Sequence, residues 1–173
     1  MTDDNIKATI APCGLCCETC FAHVNGDIRR LSTELKEKLG NFHINAKRFE
    51  TLLEEPIFEK YADFKEMLDY FAVQNCHGCR NEQCKLFKHC GVRPCHQNMG
   101  VDFCYQCDEF PCDRTNFDES LYKSWMAINE IIRNKGIEAY CEKAKMRPRY
   151  GCYAKSLHGM TAIPNFQSSG GLK

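Results

Sequence analysis

The sequence has no apolar run approaching the roughly 18 residues that a membrane span needs. It has no excess of charge of either sign, with 23 Lys and Arg against 23 Asp and Glu. The first absence argues against a membrane partner. The second removes the global field that would steer a chain toward nucleic acid or anionic lipid. The opening residues MTDDNIKATIAP carry neither the basic flank nor the apolar core of a secretory signal, which predicts a cytoplasmic protein. The period-2 alternation of a half-buried strand is also missing. So are an H-E-x-x-H pair, a phosphate-cradling glycine loop and any nucleophile, base and orienter set. Whether the chain is an enzyme therefore stays open at this level.

What the sequence has instead is cysteine, 14 in 173 residues. In a reducing compartment, dense cysteine in C-x2-C pairs reads as metal ligation rather than as disulfides. With 43% hydrophobic and 27% charged residues the chain is globular in composition and long enough for one ordinary domain. We expect that domain to span 1–157, with a loosely ordered tail over 158–173 whose Ser-Ser-Gly-Gly offers nothing to pack.

The segments between the cysteines have helical period. Ile28, Leu31, Leu35 and Leu39 form one stripe over 27–39, with Asp27 as N-cap and Gly40 as stop. A shorter helix is expected over 45–54 (Phe49, Leu52, Leu53). Pro56 then suits the first turn of a helix carrying Ile57, Tyr61, Phe64, Leu68 and Phe71. Asp118 can cap a helix presenting Leu121, Trp125, Ile128 and Ile132, ended by Gly136, and a basic amphipathic segment runs from Ile137 to Arg147 before Pro148. These stripes are expected to bury as core. The predicted fold is mainly α: a helical scaffold over 27–73 and 118–147, with cysteine-rich, metal-organised irregular lobes at 13–20 and 76–112.

Residues 76–112 have little apolar periodicity and are longer than a structureless loop inside a compact domain. Metal–thiolate bonds supply what a hydrophobic core does not, on the order of 10 kcal/mol in small zinc peptides. CHGCRNEQC at 76–84 and CYQCDEFPC at 104–112 are both C-x2-C-x4-C. In such a turn two sulfurs face one ion while backbone N–H groups stabilise the thiolates. Cys76, Cys79, Cys84 and Cys90 form one four-sulfur set by sequence order, and Cys95, Cys104, Cys107 and Cys112 a second. A cross-braced pairing fits the spacings equally. His77, His89 and His96 are alternative fourth ligands.

CGLCCETC at 13–20 interleaves Cys13-x2-Cys16 with Cys17-x2-Cys20, and two adjacent thiols do not readily face one tetrahedral ion. Cys13-x3-Cys17-x2-Cys20 also resembles the cluster motif of radical S-adenosylmethionine enzymes. Those enzymes need a large barrel of alternating strands and helices that this pattern does not offer.

IAPCGLCCETC, CHGC at 76–79, the Cys90 and Cys95 pair, CYQCDEFPC and NKGIEAY at 134–140 together resemble a prokaryotic family known as domain of unknown function 3795. The resemblance covers most of the chain from Ile10 to Cys152. It implies a zinc-binding protein and no particular reaction. It also favours Cys13, Cys17 and Cys20 as the ligands of the first cluster and leaves Cys16 aside, because members carry another residue there. Cys152 stands alone where longer members have a C-x2-C pair.

The resulting expectation is a zinc-binding structural or interaction module holding two or three zinc ions. An iron–sulfur or thiol-redox protein is the alternative, with a metal-dependent enzyme behind both. An enzyme would use Cys16 or Cys17 as thiolate with Glu18 or His23 as base. The partner is left open between a protein and a single-stranded nucleic acid, the latter suggested by Arg80, Lys85, Lys88 and Arg93 around the first repeat.

Overall fold

The computed structural model describes residues 2–150. Cys152 and the expected tail lie outside them. In chain order the elements are α1 (Asp3–Thr9), α2 (Asp27–Leu39), α3 (Phe42–Leu52), a 3-10 turn (Pro56–Lys60), α4 (Tyr61–Ala72), α5 (Val92–Asn98), a second 3-10 turn (Cys104–Gln106), α6 (Glu119–Lys135) and α7 (Ile137–Lys145). The fold is mainly helical. Among the described residues there is no strand, only isolated bridges pairing Ile10 with Cys16 and His23 with Cys76.

α6 forms where its period and signals place it. The Asp118 carboxylate accepts the Leu121 N–H at 2.9 Å, and Gly136 ends the helix at φ 84°. Its buried face is Trp125, Ile128, Asn129 and Ile132. Against it pack Ile6 from α1, the loop residues Ile10, Ala11, Cys13 and Leu15, Val92 from α5, Phe103, and Tyr140 and Cys141 from α7. Burying each large apolar side chain stabilises by about 1.5–3 kcal/mol. The first cysteine loop is thus part of the main core. Asn129 fixes it there, donating from Nδ2 to the Cys13 carbonyl at 3.0 Å and to the Trp125 carbonyl at 2.8 Å. Gly14 makes the close approach possible: its φ is +89°, and a Cβ would stand 2.5 Å from Ile128 Cγ2.

α2, α3 and α4 form a second lobe, with α2 lying along α4. Rings hold it together more than deep burial does: Phe42 meets Tyr61 at 5.0 Å and Phe49 at 5.8 Å, and Phe49 meets Phe58 at 5.6 Å.

Several expectations need correction here. Asp27 is not the N-cap of α2. Gly26 holds that position, because the loop presses it against the Cys20 carbonyl where a Cβ would come within 2.9 Å. Asp27 instead pairs with Arg30 at 3.0 Å. The expected 45–54 helix begins at Phe42, whose ring joins the aromatic cluster. The 76–112 stretch is not wholly irregular, since α5 forms inside it with Pro94 in the first turn, where no donor is lost. α1 carries too short a pattern to read. The stripes are also not all core. Leu31 is 52% exposed, Leu35 44%, Ile57 62% and Phe64 45%. On α2 the buried position is Ser32, so its packed face is rotated from the apolar stripe, whereas on α4 the stripe residue Leu68 is buried together with Ala72.

Candidate metal centre

The sulfur-bearing turns are built by local hydrogen bonds. Cys20 N–H donates to the Cys17 carbonyl at 2.9 Å, and Cys107 N–H to the Cys104 carbonyl at 3.1 Å, closing both C-x2-C turns. The first loop is tied to α1 by Cys17 N–H on the Thr9 carbonyl at 2.7 Å. The central turn is tied to the first by backbone pairing across the His23–Cys76 bridge. Val24 N–H donates to the Cys76 carbonyl at 2.8 Å and Cys76 N–H to the Ala22 carbonyl at 2.9 Å. Arg80 locks the same turn to α1, donating from Nε to the Lys7 carbonyl at 3.0 Å while its guanidinium lies 4.7 Å from the Phe103 ring centre.

This wiring brings distant cysteines together. Cys79 lines one cleft with Cys84 and the neighbouring one with Cys17. The Cys79 thiol beside them pulls Cys17 down to about 7 and Cys84 down to about 6, while Cys79 itself is pushed up. Cys13, Cys79, Cys84 and Cys90 line one cleft together with Arg93 and Arg149. Arg149 lies 133 residues from the carbonyl of Cys16 in sequence and donates to it at 2.8 Å. Its positive charge also favours the thiolates of Cys17 and Cys84. Burial pushes the Cys13, Cys76 and Cys90 thiols up. Cys20 and Cys76 are buried against each other with Ala22, Phe21 and Leu86, and Cys20 Sγ stands 3.8 Å from Tyr150 Oη.

A separate cleft is lined by Cys95, His96, Cys104, Cys107, Cys112 and Trp125. Burial pushes Cys104 up to about 12, opposed by the Trp125 indole N–H beside it. The Arg114 guanidinium rests on Cys95. His96 holds Nδ1 3.0 Å from the Val101 carbonyl, with Nε2 buried and unpartnered. His77 and His89 are exposed. The cysteines are grouped but not closed into shells: among the described residues, no three His, Cys, Asp or Glu side chains converge as a ready metal cage.

Cys16 and Cys141 lie in the hydrophobic core, 1% and 0% exposed. Glu18, the expected base, is occupied by the Thr9 hydroxyl at 2.7 Å and by Lys145 Nζ at 3.3 Å. His23 is buried, which lowers its pKa. Arg149 and Trp125 are site residues that sequence reasoning missed. Neither has a local signal, since each reaches the sulfurs from a distant element.

No helix among the described residues is long and apolar enough to cross a membrane. A family model described as protein of unknown function (DUF3795) matches residues 9–117. No curated protein and no solved structure matches the chain.

Proposed function

The chain belongs to the DUF3795 family of proteins of unknown function, and on that premise we propose that it is a zinc-binding structural and interaction module. Its ligands are Cys13, Cys17, Cys20, Cys76, Cys79, Cys84, Cys90, Cys95, Cys104, Cys107 and Cys112. The observation that carries this reading is the gathering of Cys13, Cys79, Cys84 and Cys90 along one cleft, from turns more than fifty residues apart in the chain. The donor set is soft sulfur, which suits zinc. Arg149 and the Trp125 indole lie where they favour the anionic ligand form.

Zinc surrounded by four thiolates has no open position for water or substrate. Its part here is to tie the first loop, the central turns and α6 together. A thiolate enzyme is less well supported, because Cys16 is buried in the core and Glu18 is held by Thr9 and Lys145. The interaction role suits a protein better than a single-stranded nucleic acid. The exposed Leu31, Leu35, Phe64 and Met67 are apolar surface, and the chain has no net positive charge.

Elemental analysis of anaerobically purified protein, with its visible spectrum, tests the metal. Two or three zinc ions per chain and a colourless solution are expected. Iron with visible absorption would favour the iron–sulfur alternative. Less than one zinc or iron in folded protein would overturn the metal reading altogether.

A further inference from the structure

We infer that the groove between α3 and α4 is the docking site for an amphipathic helix of a partner protein, one whose apolar stripe is flanked by Lys or Arg. This rests on the interaction half of the reading above and makes no use of the sulfur sites.

The groove is made by two helices that spread apart. α3 packs more on the 3-10 turn at Pro56–Lys60 than on α4. Ring contacts of Phe42 and Phe49 with Phe58 and Tyr61 join the two helices there. A space of about 560 Å³ is left between them. α3 lines it with His43, Ala46, Lys47 and Glu50, and α4 with Ala62, Lys65, Glu66 and Asp69. Both sets have the i, i+3, i+4, i+7 spacing of a single helix face about two turns long. α6 has the same spacing in Trp125, Ile128, Asn129 and Ile132, and there the face is covered by other elements. On α3 and α4 it is not: His43, Lys47, Glu50, Ala62 and Glu66 are exposed among the described residues. The small side chains of Ala46 and Ala62 let a third helix approach to about the 8–10 Å at which helix axes pack.

The chemistry of the lining selects the occupant. Alanine and the Phe58 and Tyr61 rings give an apolar wall, while the charged groups stand on exposed or half-exposed side chains around it. A small polar ligand would need convergent polar groups inside the cavity, whereas a helix face needs an apolar wall with a charged rim. Asp69 is already taken up, by Lys36 at 2.7 Å and Lys65 at 2.5 Å. That leaves Glu50, Glu59 and Glu66 on the rim against Lys47, beside His43. The acidic excess repels nucleic acid and anionic lipid and is complementary to a helix with basic flanks.

The test is fluorescence anisotropy of two labelled peptides titrated with the full chain, each about 18 residues long so that a helix can form. Both carry Leu at i, i+3, i+4 and i+7. One has Lys at the flanking positions and the other Glu. The Lys peptide should bind at least about tenfold more tightly, and the gap should narrow as salt is added. Reversing the rim with Glu50→Lys, Glu59→Lys and Glu66→Lys together should invert the preference. Ala62→Trp, at an exposed position, should fill the groove and abolish binding of both, with circular dichroism checking that each variant is folded. No binding of the Lys peptide, equal binding of the two, or binding that survives Ala62→Trp would overturn the inference. So would a dimer in solution that Ala62→Trp returns to monomer, because the groove would then belong to a second copy of this chain. Zinc content of the same samples separates the two readings. Zinc without peptide binding removes the groove proposal alone, and peptide binding without metal removes the zinc reading alone.

Discussion

Cysteines that share a chemistry do not share a task in this chain. Cys141 sits in the main core at 0% exposure, where burial pushes its thiol up, and it behaves as a small hydrophobe. Cys107 lies in a closed C-x2-C turn at the edge of a cleft with three other sulfurs. Cys141→Ser should therefore cost about 1–2 kcal/mol, the ordinary penalty of a hydroxyl placed in an apolar site, with full metal retained. Cys107→Ser should release one ion and disorder the loop from Cys95 to Cys112. Thermal unfolding combined with metal content separates the two, and equal effects would show that the ligands are wrongly assigned. Cys16 belongs with Cys141 on this account, since its side chain is in the core at 1% exposure, while its carbonyl accepts from Thr19 and Arg149.

At the scale of elements, the two apolar helix patterns behave differently because their surroundings differ. α6 has neighbours on its whole apolar face, from α1, α7 and the first cysteine loop. α2 has α4 along one side only, with Ser32 as its buried residue. Ile132→Ala should cost about 2–5 kcal/mol, whereas Leu35→Gln should stay within about 0.5 kcal/mol. Urea denaturation of both variants checks this, and a large loss at Leu35 would restore the apolar stripe as core. The seam between α2 and α4 also carries a charge. Hydrogen bonds from Lys36 and then Lys65 hold the Asp69 carboxyl below the usual carboxylate range. A depressed folded pKa contributes stability above the unfolded value of about 3.9, and that stability is lost as pH falls through the folded value. Asp69→Asn should therefore lower the melting temperature slightly at neutral pH, and the difference from the parent chain should shrink toward about pH 3. A difference that persists in acid would mean that the seam is held by packing alone.

For the molecule as a whole, the cysteine loops and the helical core are one packed unit, so on the zinc reading proposed above loss of metal should reach the core. Trp125 is the single tryptophan, 1% exposed, edge-on to Phe110 at 4.8 Å and beside Cys104. A strong chelator should shift its emission to longer wavelength as the Cys95–Cys112 loop opens, and added zinc should reverse the shift. Unchanged emission with metal removed would make the core independent of the sulfur sites. Local features of this molecule were readable in the sequence because their causes are local: Asp118 and Gly136 bound α6, a 3.6-residue period gives its face, and C-x2-C spacing gives the turns. The family motifs were readable for the same reason. Cysteine partition was not, because two C-x2-C turns are chemically equivalent until a backbone path distinguishes them. The pairing of His23 with Cys76 does so, setting Cys17 against Cys79, while Arg149 arrives from the far end of the described chain. The same holds for Leu31 and Leu35, whose period made a helix certain and whose burial depended on which neighbour arrived. A helix face is written in a dozen consecutive residues, but what covers it, and which sulfurs meet, is decided only when segments far apart in sequence are packed together.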